Sequence, residues 1–198
     1  MSTPVFSALK KSMWGLLQDA ARLPWARTSS IEERLRILEE ELALRDLLNR
    51  YTYFYDGNDL DGVMTVFADD CTLVNPRGTY IGADAIRANY AHLISTRKLS
   101  FHNATNVLIR IHDNGEAFMS AFYTAVGIYR SGSLAMTGGT YADRLKKVNG
   151  EWKIAERRIT YNYRSRLAAE NPLDAAKPPP EPSRRETSRD WIGPDAML

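Results

Sequence analysis

The first pattern along the chain is a short run in which apolar residues recur every three or four positions. Between residues 5 and 23 these positions include Phe6, Leu9 and Met13, and mostly polar residues occupy the rest of the helical wheel. The spacing predicts a short amphipathic helix that ends before Pro24. Such a helix packs on its own domain or on a neighbouring subunit, or makes a peripheral contact with a membrane surface, and both interpretations stay open.

A second and longer helical pattern begins at Ser30. Ser30 and Glu33 have the spacing of a capping box, in which each side chain accepts a hydrogen bond from a backbone N–H at the start of a helix. The apolar positions continue to Phe54 but change phase after Leu42. We therefore expect the first half of this helix to rest on another surface and the second half to close over the core.

The chain then turns at Gly57 and Asn58, which are residues that commonly end helices. Asp59 is a good helix cap, and the apolar residues after it predict a second helix that runs through Phe67. A third helical pattern covers residues 83 to 96. The sequence therefore predicts that the helices lie in the first half of the chain.

The other patterns are typical of β-strands, in which β-branched and aromatic residues lie between turn-forming residues. The predicted strands cover residues 71–75, 78–82, 99–112, 117–130, 134–148 and 152–163. Gly138 and Gly139 fall inside a strand and indicate a bulge that bends the sheet. Helices followed by such strands predict an α+β fold, a cone in which N-terminal helices pack on a curved, mostly antiparallel sheet.

Composition limits the domain organisation. The chain has 198 residues, of which 44% are hydrophobic and 25% are charged, close to the average for a soluble globular protein. One domain of about 100 to 150 residues is the commonest size, and we assign it to residues 30–166. Residues 1–29 form an N-terminal extension, and residues 167–198 form a Pro-rich tail. This tail is either disordered or lies along an adjacent subunit, with Trp191 in a groove.

Charge and cysteine content narrow the classes of partner and location. A net charge of +2 without a concentrated basic stripe gives no reason to expect nucleic acid as a partner. No apolar run approaches the ~20 residues that cross a bilayer, and the first 27 residues lack the pattern of a secretory signal. Cys71 is the single cysteine, which rules out an internal disulfide. We therefore expect a cytoplasmic protein with no transmembrane span.

Candidate chemistry is found first where the long helix ends, at residues 51–56. There Asp56 follows closely on aromatic rings, which desolvate an acid and shift its pKa in the manner of a reaction pocket. Rings that belong to the core, with Asp56 as a cap of the next turn, give the same pattern. His102 is the second candidate, and regular strand alternation places it on the same face as Asn106. A histidine that bonds to backbone in the core or at its rim is the alternative.

The sequence lacks the motifs of metal sites, nucleotide-binding sites and serine nucleophiles. The histidines do not have the spacing of metal ligands, and a single cysteine does not make a zinc cluster. The glycine-rich motifs that hold nucleotide phosphates are absent, and so is the Gly-x-Ser-x-Gly nucleophile elbow. What remains is acid–base catalysis by a carboxylate, a histidine and tyrosines, and we expect neither a metal nor a cofactor.

Several motifs together resemble the SnoaL-like branch of the NTF2-like superfamily, over residues 31 to 165. They lie at residues 45–51, 55–61, 67–70, 82–87, 101–106, 139–145 and 150–154. Within the superfamily the sequence is most similar to the scytalone dehydratase, bile-acid dehydratase and hexachlorocyclohexane dehydrochlorinase group. The resemblance implies helices on a cone-shaped sheet, a lyase reaction on a small molecule, and a homo-oligomer with a trimer favoured.

The resemblance also implies roles for individual residues. The Asp–His dyad of these lyases falls on Asp56 and His102, and the tyrosine or lysine that faces their pocket falls on Tyr51. Arg157 corresponds to a pocket arginine of the dehydrochlorinase, whereas the pocket arginine of the bile-acid enzyme falls at Tyr161. The residues expected to bind substrate are Tyr55, Asn106, Arg157, Tyr161, Phe54 and Leu73.

These observations together predict a cofactor-independent lyase of the dehydratase type. His102 removes a proton from carbon, Asp56 sets its tautomer, and Tyr51 donates to a leaving or carbonyl oxygen. Asn106 or Arg157 stabilises developing negative charge. The expected substrate is a hydrophobic cyclic or polycyclic small molecule. Two alternatives stay open: an isomerase or cyclase with the same dyad, and a non-catalytic module that binds a ligand or assembles through its terminal segments.

Overall fold

The structure is a computed structural model that describes residues 30–112 and 114–167. The predicted helix at residues 5–23 and the Pro-rich tail beyond residue 167 lie outside this part of the chain. The described helices are α1 (Ile31–Asp56), α2 (Leu60–Thr65) and α3 (Ala83–Ser95). The described strands are β1 (Phe67–Asn75), β2 (Gly78–Ile81), β3 (Arg97–Ile111), β4 (Glu116–Tyr129), β5 (Leu134–Val148) and β6 (Glu151–Leu167).

Helix α1 begins at the predicted cap and buries mainly its second half. The Ser30 hydroxyl accepts a hydrogen bond from the Glu33 backbone N–H at 3.1 Å, and the Glu33 carboxylate accepts from the Arg36 guanidinium. Most apolar side chains of the first half are exposed, and the surface on which this half is expected to rest is not among the described residues. The buried residues of the second half are Leu44, Leu47, Leu48, Tyr51, Thr52 and Tyr55.

Helix α2 is shorter than predicted. The Asp59 carboxylate caps it by accepting a hydrogen bond from the Gly62 backbone N–H at 2.8 Å. The prediction that this helix runs through Phe67 is wrong, because Phe67 begins β1 and pairs with Ile154 of β6. The Ile154 N–H also donates to the Val66 carbonyl at 2.9 Å. Pairing with a strand that is distant in sequence has replaced the local helical pattern.

The six strands form one sheet in the order β2-β1-β6-β5-β4-β3. Only β1 and β6 run parallel among its neighbouring pairs, so the sheet is mostly antiparallel, as predicted. The register of β5 against β6 shifts between Gly138 and Gly139. A Cβ atom at Gly139 would lie 1.8 Å from the Thr160 carbonyl oxygen, so this close approach requires glycine. The predicted α+β fold with a curved sheet is confirmed.

Helices and sheet enclose one hydrophobic core. Its buried side chains come from both layers and include Leu48, Val63, Ile86, Met119 and Ile154. Burial of such side chains is the main favourable contribution to folding. Among the described residues, none of the helices is both long and apolar enough to cross a membrane.

Candidate active site

The carboxylate of Asp56 and the imidazole of His102 are in direct contact. Asp56 ends α1 and His102 lies in β3, and their side chains are 20% and 7% exposed. Asp56 Oδ1 lies 2.5 Å from His102 Nδ1, and Asp56 Oδ2 accepts a hydrogen bond from the His102 backbone N–H at 2.7 Å. Because a carboxylate only accepts hydrogen bonds, Nδ1 carries the proton of this contact. Asp56 thus holds both the ring and the backbone of His102.

The pKa of Asp56 lies below its ordinary value. Burial alone would raise this pKa, but hydrogen bonds and charge attraction from His102, together with smaller contributions, outweigh burial. Asp56 is therefore ionised at neutral pH. An acid that stays ionised is suited to orient its partner and to stabilise a cation, and not to deliver a proton itself.

This lowered pKa predicts a pH dependence of stability. Ionised Asp56 stabilises the fold above the ordinary aspartate pKa, and that contribution is lost as pH falls through the lower pKa of the folded state. We expect the free energy of unfolding to fall more steeply between about pH 5 and pH 2 in the unmodified protein than in Asp56→Asn. Urea unfolding at several pH values measures both slopes. Asp69→Asn, which removes an exposed carboxylate, should keep the steep slope, and equal slopes for all three proteins would contradict the prediction.

Two tyrosines of α1 stack beside the dyad. The rings of Tyr51 and Tyr55 are nearly parallel with centroids 6.0 Å apart, and the Tyr55 ring lies edge-on to the His102 ring at 5.0 Å. Tyr90 of α3 donates its hydroxyl proton to the Tyr51 oxygen at 3.1 Å. The Tyr51 oxygen is therefore an acceptor in this contact, and its own proton is available for another group.

Arg97, at the start of β3, is a site residue that the sequence did not reveal. Its guanidinium lies 5.0 Å from the centre of the Tyr55 ring and 5.9 Å from that of Tyr129, and its Nη1 donates to the Tyr55 hydroxyl. Burial alone would lower the pKa of Arg97, but the neighbouring tyrosine oxygens outweigh it and raise this pKa. Burial raises the pKa of Tyr55 despite Arg97. A cation and a neutral phenol therefore adjoin the dyad.

These groups surround a cavity of about 40 Å³, which is room for about three water molecules. Aromatic and polar side chains form most of its wall, with few aliphatic ones. The lining residues are Tyr51, Tyr55, Tyr90, Tyr123, Tyr141, Tyr161, Asn75, Asn89, Arg97, His102, Thr137, Leu93 and Ile159. The cavity is thus narrower and more polar than the expected apolar pocket for a polycyclic substrate.

Of the residues predicted to bind substrate, Tyr55 and Tyr161 line the cavity and the others do not. A bulge with φ of 52° at Asn106 interrupts the strand alternation and leaves its side chain exposed, so the prediction that it shares the face of His102 is wrong. Phe54 packs against Gly62 of α2. Leu73 is fully buried in the core.

Arg157 lies in the core below the tyrosines, where it pairs with Asp143. The two residues face each other across β5 and β6, and their side chains are 0% and 1% exposed. Arg157 Nε and Nη2 donate to the two carboxylate oxygens at 2.8 and 2.6 Å. The guanidinium lies 4.1 Å from the centre of the Tyr51 ring. Arg157 does not border the cavity, and Asp143 takes two of its donor nitrogens, so its contact with substrate stays a prediction.

Residues that sequence analysis missed complete the cavity. Tyr123 and Tyr141 stack with centroids 4.3 Å apart, and Asn89 lies one residue before Tyr90 on α3. The period-two alternation of β4 and β5 was a signal for the two strand tyrosines, because it places them on the inward face. No local pattern marked Asn89 or Arg97, whose positions follow from the packing of α3 against the sheet.

The other reactive side chains of the described residues form neither a metal site nor an activated nucleophile. In residues 30–112 and 114–167, no group of three or more histidine, cysteine or acidic side chains is placed to hold a metal ion. Burial raises the pKa of the Cys71 thiol to about 11, and the neighbouring Asp70 and Asp69 act in the same direction. A thiol of that pKa is a poor nucleophile at neutral pH.

Helices packed on a curved, mostly antiparallel sheet are the architecture of the NTF2-like class of α+β proteins. The chain belongs to the family of the SnoaL-like domain, whose profile matches residues 36–158. A comparison with curated proteins gives no match.

Solved structures show the same fold. A scytalone dehydratase-like protein from Novosphingobium aromaticivorans has a TM-score of 0.62 at 22% identity, over 67% of this chain and 90% of its own. A type 2 hexachlorocyclohexane dehydrochlorinase has a TM-score of 0.64 at 17% identity, over 69% and 94% of the two chains. The type 3 enzyme of Novosphingobium barchaimii has a TM-score of 0.63 at 17% identity, over 69% and 95%. Likeness at these identities establishes the fold alone.

Proposed function

We propose that the protein is a cofactor-independent lyase of the dehydratase type, in which His102 acts as general base. The observation that supports this most is the double contact of Asp56 with the ring and backbone of His102. That contact leaves Nε2 as the ring nitrogen that takes a proton, and His102 borders the cavity. The names of the structural neighbours, which include a dehydratase and dehydrochlorinases, also favour an elimination.

The proposed reaction is an elimination of water. His102 Nε2 takes a proton from a substrate carbon, and the electron pair of that C–H bond forms a C=C double bond. The leaving hydroxide departs with the electron pair of its C–O bond. The imidazolium then gives its proton to the hydroxide, and water is released. Asp56 stabilises the imidazolium between these two steps.

Tyr51 and Tyr55 are the proposed donors to a leaving or carbonyl oxygen of the substrate. Each accepts a hydrogen bond through its oxygen, Tyr51 from Tyr90 and Tyr55 from Arg97, so its own O–H proton is available. Donors that are held in place before the reaction stabilise developing negative charge without reorganisation. Both tyrosines border the same cavity as His102.

The proposed substrate is a compact, hydrophobic ring compound. The tyrosine faces suit a flat ring, because aromatic rings pair in stacked or edge-on arrangements. Leu93 and Ile159 add aliphatic contacts. Since the cavity holds only about three water molecules, a single ring fits it with less movement of the wall than a polycyclic compound requires.

Product mass tests the proposed function. We expect the purified protein to convert a hydroxylated ring compound into a product that is lighter by one molecule of water, as measured by mass spectrometry. Asp56→Asn, which keeps the shape of the side chain, should lose most of this conversion. A product of unchanged mass would indicate an isomerase or a cyclase. A ligand that binds without any conversion would indicate a non-catalytic module.

We also propose an oligomeric state and a cellular location for the protein. The resemblance favours a homo-oligomer, in particular a trimer, and the composition favours the cytoplasm. Phe101 and Phe122 are 56% and 41% exposed, and such apolar side chains on a sheet are suited to a subunit interface. A peripheral membrane contact through residues 5–23 remains a prediction of the sequence.

A further inference from the structure

The two partly or fully buried arginines near the tyrosines are compensated in different ways. Arg157 has a carboxylate partner, Asp143, at 2.6 Å. Arg97 has no carboxylate within ion-pair distance in the part of the chain that the structure describes, and its contacts there are with tyrosines. A buried charge normally has a partner of opposite sign. Arg97 therefore presents a positive charge to the cavity that the fold itself does not neutralise.

Two hydrogen-bond donors of the cavity wall are also unused. Arg97 Nε and Asn89 Nδ2 are both buried, and neither has an acceptor among the described residues. Both residues border the same cavity. Buried donors without acceptors are uncommon because they cost folding free energy, and a bound ligand that supplies an acceptor removes that cost. Two unused donors and a cation together favour a ligand that carries an anionic oxygen group.

The guanidinium of Arg97 is held in position before any ligand arrives. The rings of Tyr55 and Tyr129 lie 5.0 and 5.9 Å from it, and Nη1 donates to the Tyr55 hydroxyl. The flat fork of N–H groups in arginine matches a carboxylate, which is also flat and accepts through two oxygens. Because its orientation is already fixed, little entropy is lost when a carboxylate binds.

We propose that Arg97, assisted by Asn89, binds a carboxylate group of the ligand that enters the cavity. This inference rests on the proposed function and names its substrate class, a small cyclic carboxylic acid. His102 and Arg97 both border the cavity, and each lies 5.0 Å from the Tyr55 ring, so one ligand in the cavity adjoins both groups. The carboxylate orients the substrate, while His102 acts on a carbon elsewhere in it.

Paired probes of equal shape test this proposal by binding alone. Acetate with acetamide, and benzoate with benzamide, differ in charge and little in size. Titrations followed by NMR should show each acid binding about tenfold more tightly than its amide to the unmodified protein. Arg97→Gln should abolish this preference and leave amide binding within about twofold. Arg97→Lys should keep part of it, because the charge remains but the planar fork is lost.

Arg130→Gln is the matched control, because Arg130 is an exposed arginine that follows β4 and does not border the cavity. It should keep the full preference for the acids. Circular dichroism checks that each variant folds. If Arg97→Gln does not fold, Asn89→Ala and Arg97→Lys test the proposal instead, and both should show a reduced preference for the acid over its amide.

The proposal would be overturned if the acids do not bind or bind no more tightly than the amides. It would also be overturned if the preference survives in folded Arg97→Gln or is undiminished in Arg97→Lys. His102→Ala should bind the acids as the unmodified protein does. Loss of turnover and loss of acid binding are thus separate results, and the failure of one proposal is distinguishable from the failure of the other.

Discussion

Replacing Asp143 by asparagine is expected to lower the free energy of unfolding by about 3 to 5 kcal/mol. Asp143 and Arg157 form a two-point ion pair whose side chains are 1% and 0% exposed. Without the carboxylate, the guanidinium stays buried with no compensating charge among the described residues. One nitrogen of Arg157, Nη1, is already buried with no acceptor among the described residues, and loss of the Asp143 carboxylate would leave further buried donors without a charged partner.

Urea unfolding followed by circular dichroism measures this effect. Glu156→Gln is the matched control, since its carboxylate pairs with Arg144 and Arg158, which are more than half exposed, and its loss should cost less than about 1 kcal/mol. Replacing both members, by Asp143→Leu with Arg157→Met, should recover much of the stability, because no charge is left unpaired. A loss below about 1 kcal/mol for Asp143→Asn would contradict a buried pair that the fold depends on.

His102→Ala is expected to reduce turnover of a confirmed substrate by about 10²- to 10⁴-fold. The loss should fall on kcat, because the imidazole is proposed to move a proton and binding depends mainly on the tyrosines and Arg97. The fold should tolerate the change. The His102 backbone N–H, which donates to Asp56 at 2.7 Å, is kept in the variant.

Steady-state kinetics of three variants test this prediction. Asp56→Asn keeps the side-chain shape but cannot hold the same tautomer as firmly, so its turnover should also fall. His92→Ala removes an exposed histidine of α3 and should leave turnover unchanged. Near-full turnover of His102→Ala would exclude the dyad mechanism. An unchanged kcat with a raised KM would mean that His102 binds substrate and does not act as the base.

The candidate site was predictable from the sequence in part. Asp56 follows a run of aromatic residues, His102 falls near the start of a predicted strand, and the family motifs singled out the same two residues. Their mutual contact was an expectation that rested on the resemblance. The alternation that linked Asn106 to His102 failed because a bulge, with a shift of register between Thr105 and Leu108, lies between the two halves of β3. A bulge depends on the partner strand, which periodicity does not reveal.

The sequence also did not reveal which charged side chains pair with each other. Arg157 was expected in the pocket, yet the register of β5 against β6 places Asp143 opposite it and directs both side chains into the core. Arg97 had no motif, although it borders the cavity. Which acid meets which arginine depends on strand register and on helix packing, and neither is a property of short sequence windows.

The sequence by itself determined the helical and strand segments, the α+β class and most turns, because hydrophobic periodicity and turn residues act over a few positions. Only the tertiary structure decided where α2 ends, which side chains enclose the cavity, how small it is, and that Arg97 of its wall has no carboxylate partner among the described residues. These features depend on contacts between segments far apart in the chain, such as Asp56 with His102 and Phe67 with Ile154. Such contacts form when the layers pack together, so no local pattern encodes them.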